Sequence, residues 1–212
     1  MRYVQTYTDI FLKENIKQGL TSLTHDFDEN ISLMEKCMKQ FEIGLIACKK
    51  KNLHNTLILW NYAGFINMCA MELKIHMKSV LNSTNEWETR THIKTAYLLI
   101  HSFYETYDKI QRDYRKLQHH QHIGEAFKKE LDTISSEIKE FRKLYLRNVS
   151  IIRNNNVAHL IPDITIQIKT MEQFQLSQTI EVLLKFGNIL NNIGTTLGGE
   201  MGYVSENLST IK

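Results

Sequence analysis

The chain has 212 residues, 42% hydrophobic and 23% charged, which suffices for one domain with a substantial core and argues against disorder. A single proline, Pro162, and nine glycines are too few for the many turns of an all-β fold, so long uninterrupted helices are expected. The net charge of +3, from 26 basic and 23 acidic residues, excludes the dense basicity of a nucleic-acid coat protein but is compatible with a polyanionic partner.

The N-terminal MRYVQTYTDIFLKEN lacks an apolar core and does not read as a signal peptide. A first helix is expected over about residues 6 to 24, with Ile10, Ile16, Leu20 and Leu23 on one stripe and Thr24-His25-Asp26 as its break. A second is expected from near Asp28 to Lys51, carrying Ile31, Met34, Met38, Phe41, Leu45 and Cys48 at three- and four-residue intervals. Lys49-Lys50-Lys51-Asn52 ends it, since cations are favourable at a helix C-terminus. The third extends to about Leu81 and has no Asp, Glu, Lys or Arg between Leu53 and Met71. That run approaches the length of a bilayer span, but its His54, Asn55, Asn61 and Asn67 are costly in hydrocarbon, so a helix buried inside a bundle is the better reading and no membrane span is expected.

Ser83 with Glu86 has capping-box spacing, and Asn85 is an alternative cap for a fourth helix reaching about Leu117. Its inward stripe is Ile93, Ala96, Tyr97, Ile100, Phe103, Tyr104 and Tyr107. A polar connector, Gln118-His119-His120-Gln121-His122, precedes a fifth helix over about Gly124 to Ile152, periodic in Phe127, Leu131, Ile134, Ile138, Phe141 and Tyr145. From Leu160 to Lys169 apolar and polar residues alternate, which predicts a short extended segment after the Arg153–His159 stretch. Thr170 with Gln173 would open a last helix over about Met171 to Ile193, and the glycine-bearing tail from Gly194 is expected to be loose. The whole reads as all-α: an antiparallel bundle of about six helices in one domain, residues 1–197, with a flexible tail over 198–212.

The three cysteines, Cys37, Cys48 and Cys69, are odd in number, lie in apolar helical surroundings and form no CxxC pair. They read as reduced core thiols of a cytoplasmic protein, not zinc ligands. One polar cluster is left unexplained by helix packing: Arg153-Asn154-Asn155-Asn156-Val157-Ala158-His159. Six steps along a continuous helix rotate about 240°, so Arg153 and His159 would diverge unless the chain bends at the asparagines, which compete for backbone hydrogen bonds. Brought together, an imidazole titrating near neutrality would take the proton of a ribose 2′-hydroxyl, and a guanidinium would hold the phosphate. The bland alternative is a helix C-terminus at which Arg153 and the asparagines cap carbonyls and His159 packs half-buried.

Arg153-Asn154 followed after four residues by His159 resembles the R-[polar]-x(3–5)-H signature of the HEPN superfamily, and the surrounding pattern over about residues 86–193 is most like the HEPN proteins of bacterial abortive-infection and toxin systems. The resemblance implies a metal-independent endoribonuclease leaving a 2′,3′-cyclic phosphate, built where two copies of the motif meet in a homodimer. It implies His159 as general base, Arg153 as phosphate binder and Asn154 as the orienting residue. It further implies no cofactor, an RNA substrate, and a nucleotidyltransferase antitoxin as a partner. A non-catalytic HEPN-like module that binds a nucleotide or a protein is the alternative.

Lys139, Lys143 and Arg147 form a basic ridge on the approach to the motif, a weak RNA-binding candidate interleaved with Glu140 and equally readable as an exposed helix face. Lys109, Arg112, Arg115 and Lys116 make a second such ridge. The His119–His122 connector reads as a solvated loop before a metal site, and Tyr97, Tyr104 and Tyr107 as core before a base-stacking platform. No metal site is expected: neither HExxH nor a Glu three residues before a His occurs.

Overall fold

The computed structural model describes residues 2–117, 125–156, 164–172 and 175–206. These residues form helices and short turns: α1 (Arg2–Lys50), α2 (His54–Asn82), α3 (Glu86–Leu117), α4 (Glu125–Asn156), α5 (Ile164–Glu172) and α6 (Leu176–Glu206). No strand occurs among them. Every peptide group of a helix interior finds its hydrogen-bond partner four residues away, which a chain so poor in proline can sustain over many turns.

Helices α2, α3, α4 and α6 form a ring, each packed against its two neighbours, and α1 lies outside against α2. Neighbouring long helices run antiparallel. Trp60 meets Gly44 while Lys78 pairs with Asp28, and Phe65 stacks on Phe103 while Ser83 meets Thr89. Tyr104 stacks on Phe141 while Tyr114 meets Phe127 edge-on, and Lys185 reaches Tyr145 while Asn192 reaches Glu137. This is the up-and-down connectivity that short connections impose on a helical bundle.

The core is aromatic at its centre. Phe103 stacks on Phe65 and Tyr107, meets Phe186 edge-on at 5.0 Å between ring centroids, and is 1% exposed. Of the inward stripes of α3 and α4 expected from the periodicity, Ile93 through Tyr107 and Phe127 through Phe141 are buried, and Tyr145 is half-buried against the core. Helix α2, uncharged over most of its length, is enclosed by α1, α3 and α6, with Tyr62, Ile66, Cys69, Leu73 and Val80 buried. No helix among the described residues is long and apolar enough to cross a membrane.

Four local expectations are corrected. The first and second helices are one: α1 continues through Thr24-His25-Asp26, whose polar residues His25 and Asp26 are exposed and therefore do not interrupt it. At 49 residues α1 spans about 74 Å, against about 44 Å for the 29 residues of α2. With Asp28 paired to Lys78 near the end of α2, the first half of α1 runs on beyond it.

The α3 cap is Asn85, not Ser83. Asn85 Oδ1 accepts from the Glu88 amide at 2.9 Å, and the Glu88 carboxylate accepts from the Thr84 amide at 2.8 Å. Ser83 turns inward instead and donates to the Val80 carbonyl. Residues 164–169, expected to be extended, belong to α5. The alternating isoleucines would suit a strand only beside another strand, and none is present among the described residues, so the segment satisfies its backbone internally as helix. Residues 160–163 lie outside the described residues. The chain from Gly194 is not loose but continues α6 to Glu206, with Leu197 and Glu200 buried. Residues 207–212 of the expected tail lie outside the described residues.

The connection from α1 to α2 is a tight helix cap. Asn52 adopts φ 55, the Leu53 amide donates to the Cys48 carbonyl at 2.9 Å, and the Asn52 amide donates to the Lys49 carbonyl at 3.2 Å. This is the hydrogen-bond pair of a left-handed helix terminus, for which asparagine substitutes for glycine.

Candidate functional site

A bend at the three asparagines, the condition for bringing Arg153 and His159 together, is not found there: α4 remains helical through Asn156. Arg153 and Asn154 therefore sit on the backbone of its last turn, at the end of the bundle where α2 finishes and α3 and α6 begin. The side chains of Arg153 and Asn154, and His159 altogether, lie outside the described residues, as does the His119–His122 connector.

Leading to that end, Lys139, Lys143 and Arg147 are all exposed on α4. Steps of four residues shift each by about 40° around the helix, so the ridge winds slowly from the α3 side toward open solvent. At its α3 side Arg142 donates to Asp108 at 3.1 Å and lies over the Tyr104 ring at 5.8 Å. That guanidinium is thereby tied to the scaffold, whereas no salt bridge engages Lys139, Lys143 or Arg147 among the described residues. The second ridge is also exposed, but Lys116 is paired to Asp113 at 2.8 Å. Acidic Glu105 and Asp108 lie exposed on α3 among these bases, so the surface between the two ridges carries mixed charge.

Tyr97, Tyr104 and Tyr107 are buried, which settles them as core residues unavailable for stacking on bases. Burial pushes all three phenols above their ordinary range, so they stay protonated across physiological pH. Cys48 and Cys69 are buried free thiols, and burial pushes Cys69 up to about 12, removing it as a nucleophile. No cluster of three or more metal-ligating side chains is found among the described residues.

One feature escaped the sequence. Asp28 and Ile31 of α1, Ile75, Lys78, Ser79 and Asn82 of α2, and Glu88 and His92 of α3 line an open groove of about 460 Å³. It lies at the same end of the bundle as Arg153 but on the opposite flank, and three separated helices build it, so no local spacing could signal it. Its Lys78 is neutralised by Asp28, and half-buried His76 nearby is held below the usual imidazole range by burial and by the neighbouring His92. Comparison with known proteins adds no relative: no family model, no curated protein and no solved structure matches this chain.

Proposed function

We propose that the chain is a metal-independent endoribonuclease of HEPN type, acting in the cytoplasm as a toxin or anti-phage effector. The observation that supports this reading is a placement: the exposed ridge of Lys139, Lys143 and Arg147 runs along α4 toward Arg153-Asn154 in its last turn. A ribophosphate backbone drawn along the ridge by its charge would meet the motif at the end. In this reading the imidazole of His159 takes the proton of a 2′-hydroxyl, whose oxygen attacks the adjacent phosphorus. The bond to the 5′-oxygen breaks, that oxygen leaves with a proton, and a 2′,3′-cyclic phosphate remains. Arg153 holds the phosphate as its charge builds, and Asn154 orients it. A second copy of the chain would complete the site, and a nucleotidyltransferase antitoxin would restrain it.

RNA cleavage by the intact chain in the presence of EDTA tests the proposal. Arg153→Ala and His159→Ala are each expected to reduce the rate by at least about a hundredfold, the usual worth of a positioned acid–base or charge-stabilising group. Full cleavage in both variants, with folding unchanged, would overturn it. A second reading, a non-catalytic HEPN-like module binding a nucleotide or a partner protein, is favoured by the helical backbone through Asn156, which keeps Arg153 and all three asparagines within one helix. RNA bound but left intact under every condition would select it.

A further inference from the structure

The last turns of α6 combine two features that weaken their hold on the bundle. Gly198 and Gly199 are helical, neither has positive φ, and a Cβ built on either would meet nothing within 4 Å. Neither backbone geometry nor close packing therefore calls for glycine, and glycine is the poorest helix former after proline. Between them and the helix end, Glu200 is 6% exposed, and its Oε1 has no hydrogen-bond partner. Tyr114 of α3 is the titratable group beside it, 1% exposed with an equally unpartnered hydroxyl, and the Tyr62 ring of α2 lies 5.1 Å beyond. No charged side chain from α1, α2, α3 or α4 among the described residues offsets the carboxyl, on which burial alone acts.

We propose that residues 198–206 form a detachable strap over the Tyr62–Tyr114 end of the core, seated while Glu200 is uncharged and released when it ionises. A buried carboxylate without a partner is costly, and two glycines make unwinding the cheapest relief. Leu197, 0% exposed, anchors the helix just before the strap and sets where release stops. The sign follows from burial. The seated carboxyl is held above the ordinary carboxylate range, so the seated state is favoured below the ordinary Glu value and loses ground as pH rises. Release would expose Tyr62, Tyr114 and the neighbouring Phe127, an aromatic surface at the end of the bundle remote from Arg153.

Amide hydrogen exchange on the intact chain, expressed as protection factors to remove the intrinsic effect of pH, tests the strap. Protection over residues 199–206 is expected to fall between pH 5 and pH 8 while the α3 and α4 cores keep theirs. Glu200→Gln, of similar shape but never charged, is expected to abolish that dependence. Gly198→Ala with Gly199→Ala is expected to raise protection on the order of tenfold at either pH, since methyl groups there enter open space. Equal protection at both pH values, an unchanged dependence in Glu200→Gln, or loss spread evenly over the whole bundle would each overturn the proposal.

Discussion

Gly44 shows how one residue sets a helix spacing. A Cβ placed there would lie 2.5 Å from ring atoms of Trp60, far inside contact distance. Trp60 in turn meets Phe41 edge-on at 5.7 Å, so the indole is confined between two residues of α1. Gly44→Ala would gain about 1 kcal/mol in helix propensity but must displace the indole, and overpacking of this kind costs about 1–3 kcal/mol. The expected net result is destabilisation in urea unfolding, relieved when Trp60 is replaced by leucine in the same chain. Additive effects of the two substitutions would show that the contact does not limit the packing. Nothing in the local sequence around Gly44 announces this role, because Trp60 belongs to another helix.

Helix α4 was legible as an element because its apolar positions recur with the helical period and because its solvent face is charged. The same periodicity places Lys139, Lys143 and Arg147 outside, where they are found. Replacing all three by alanine is expected to leave the unfolding midpoint nearly unchanged, since exposed helix positions tolerate it. RNA binding should weaken, and the slope of log affinity against log salt should fall by about 2, at about 0.7 per lost phosphate contact on a single strand. An unchanged slope would remove the ridge from the interface. Helices α1 and α5 were less legible. A polar triplet in α1 resembles a break when its exposure is unknown, yet His25 and Glu29 face each other at 3.6 Å on a continuous helix. In α5 an alternating pattern mimics a strand, yet no strand to pair with is present among the described residues.

The bundle as a whole depends on aromatic residues that converge from four helices: Phe65 of α2, Phe103 and Tyr107 of α3, Phe141 of α4 and Phe186 of α6. Phe103 lies at their meeting point, so Phe103→Ala is expected to cost about 3–5 kcal/mol in chemical denaturation. A loss under about 1 kcal/mol would mean that the ring is not the shared contact of these helices. The sequence identified the inward faces of α3 and α4, but not which faces would meet, nor that α1 would stand outside a ring of four.

By itself the sequence determined that this protein is helical, because breakers are scarce and apolar residues recur at three- and four-residue intervals over most of the chain. It also marked the inward stripes of α3 and α4, though not buried Tyr114 or Val149, since periodicity is a local property of one helix. Only the tertiary structure decided that Asn85 caps α3, that the glycines after Gly194 stay helical and that Glu200 is enclosed beside Tyr114. Each of those outcomes depends on what a neighbouring segment offers in hydrogen bonds, apolar surface or charge, and no residue carries that information alone. The motif at Arg153 stands between the two. Its residue types were read from the chain, and the structure adds that Arg153 and all three asparagines belong to one helix.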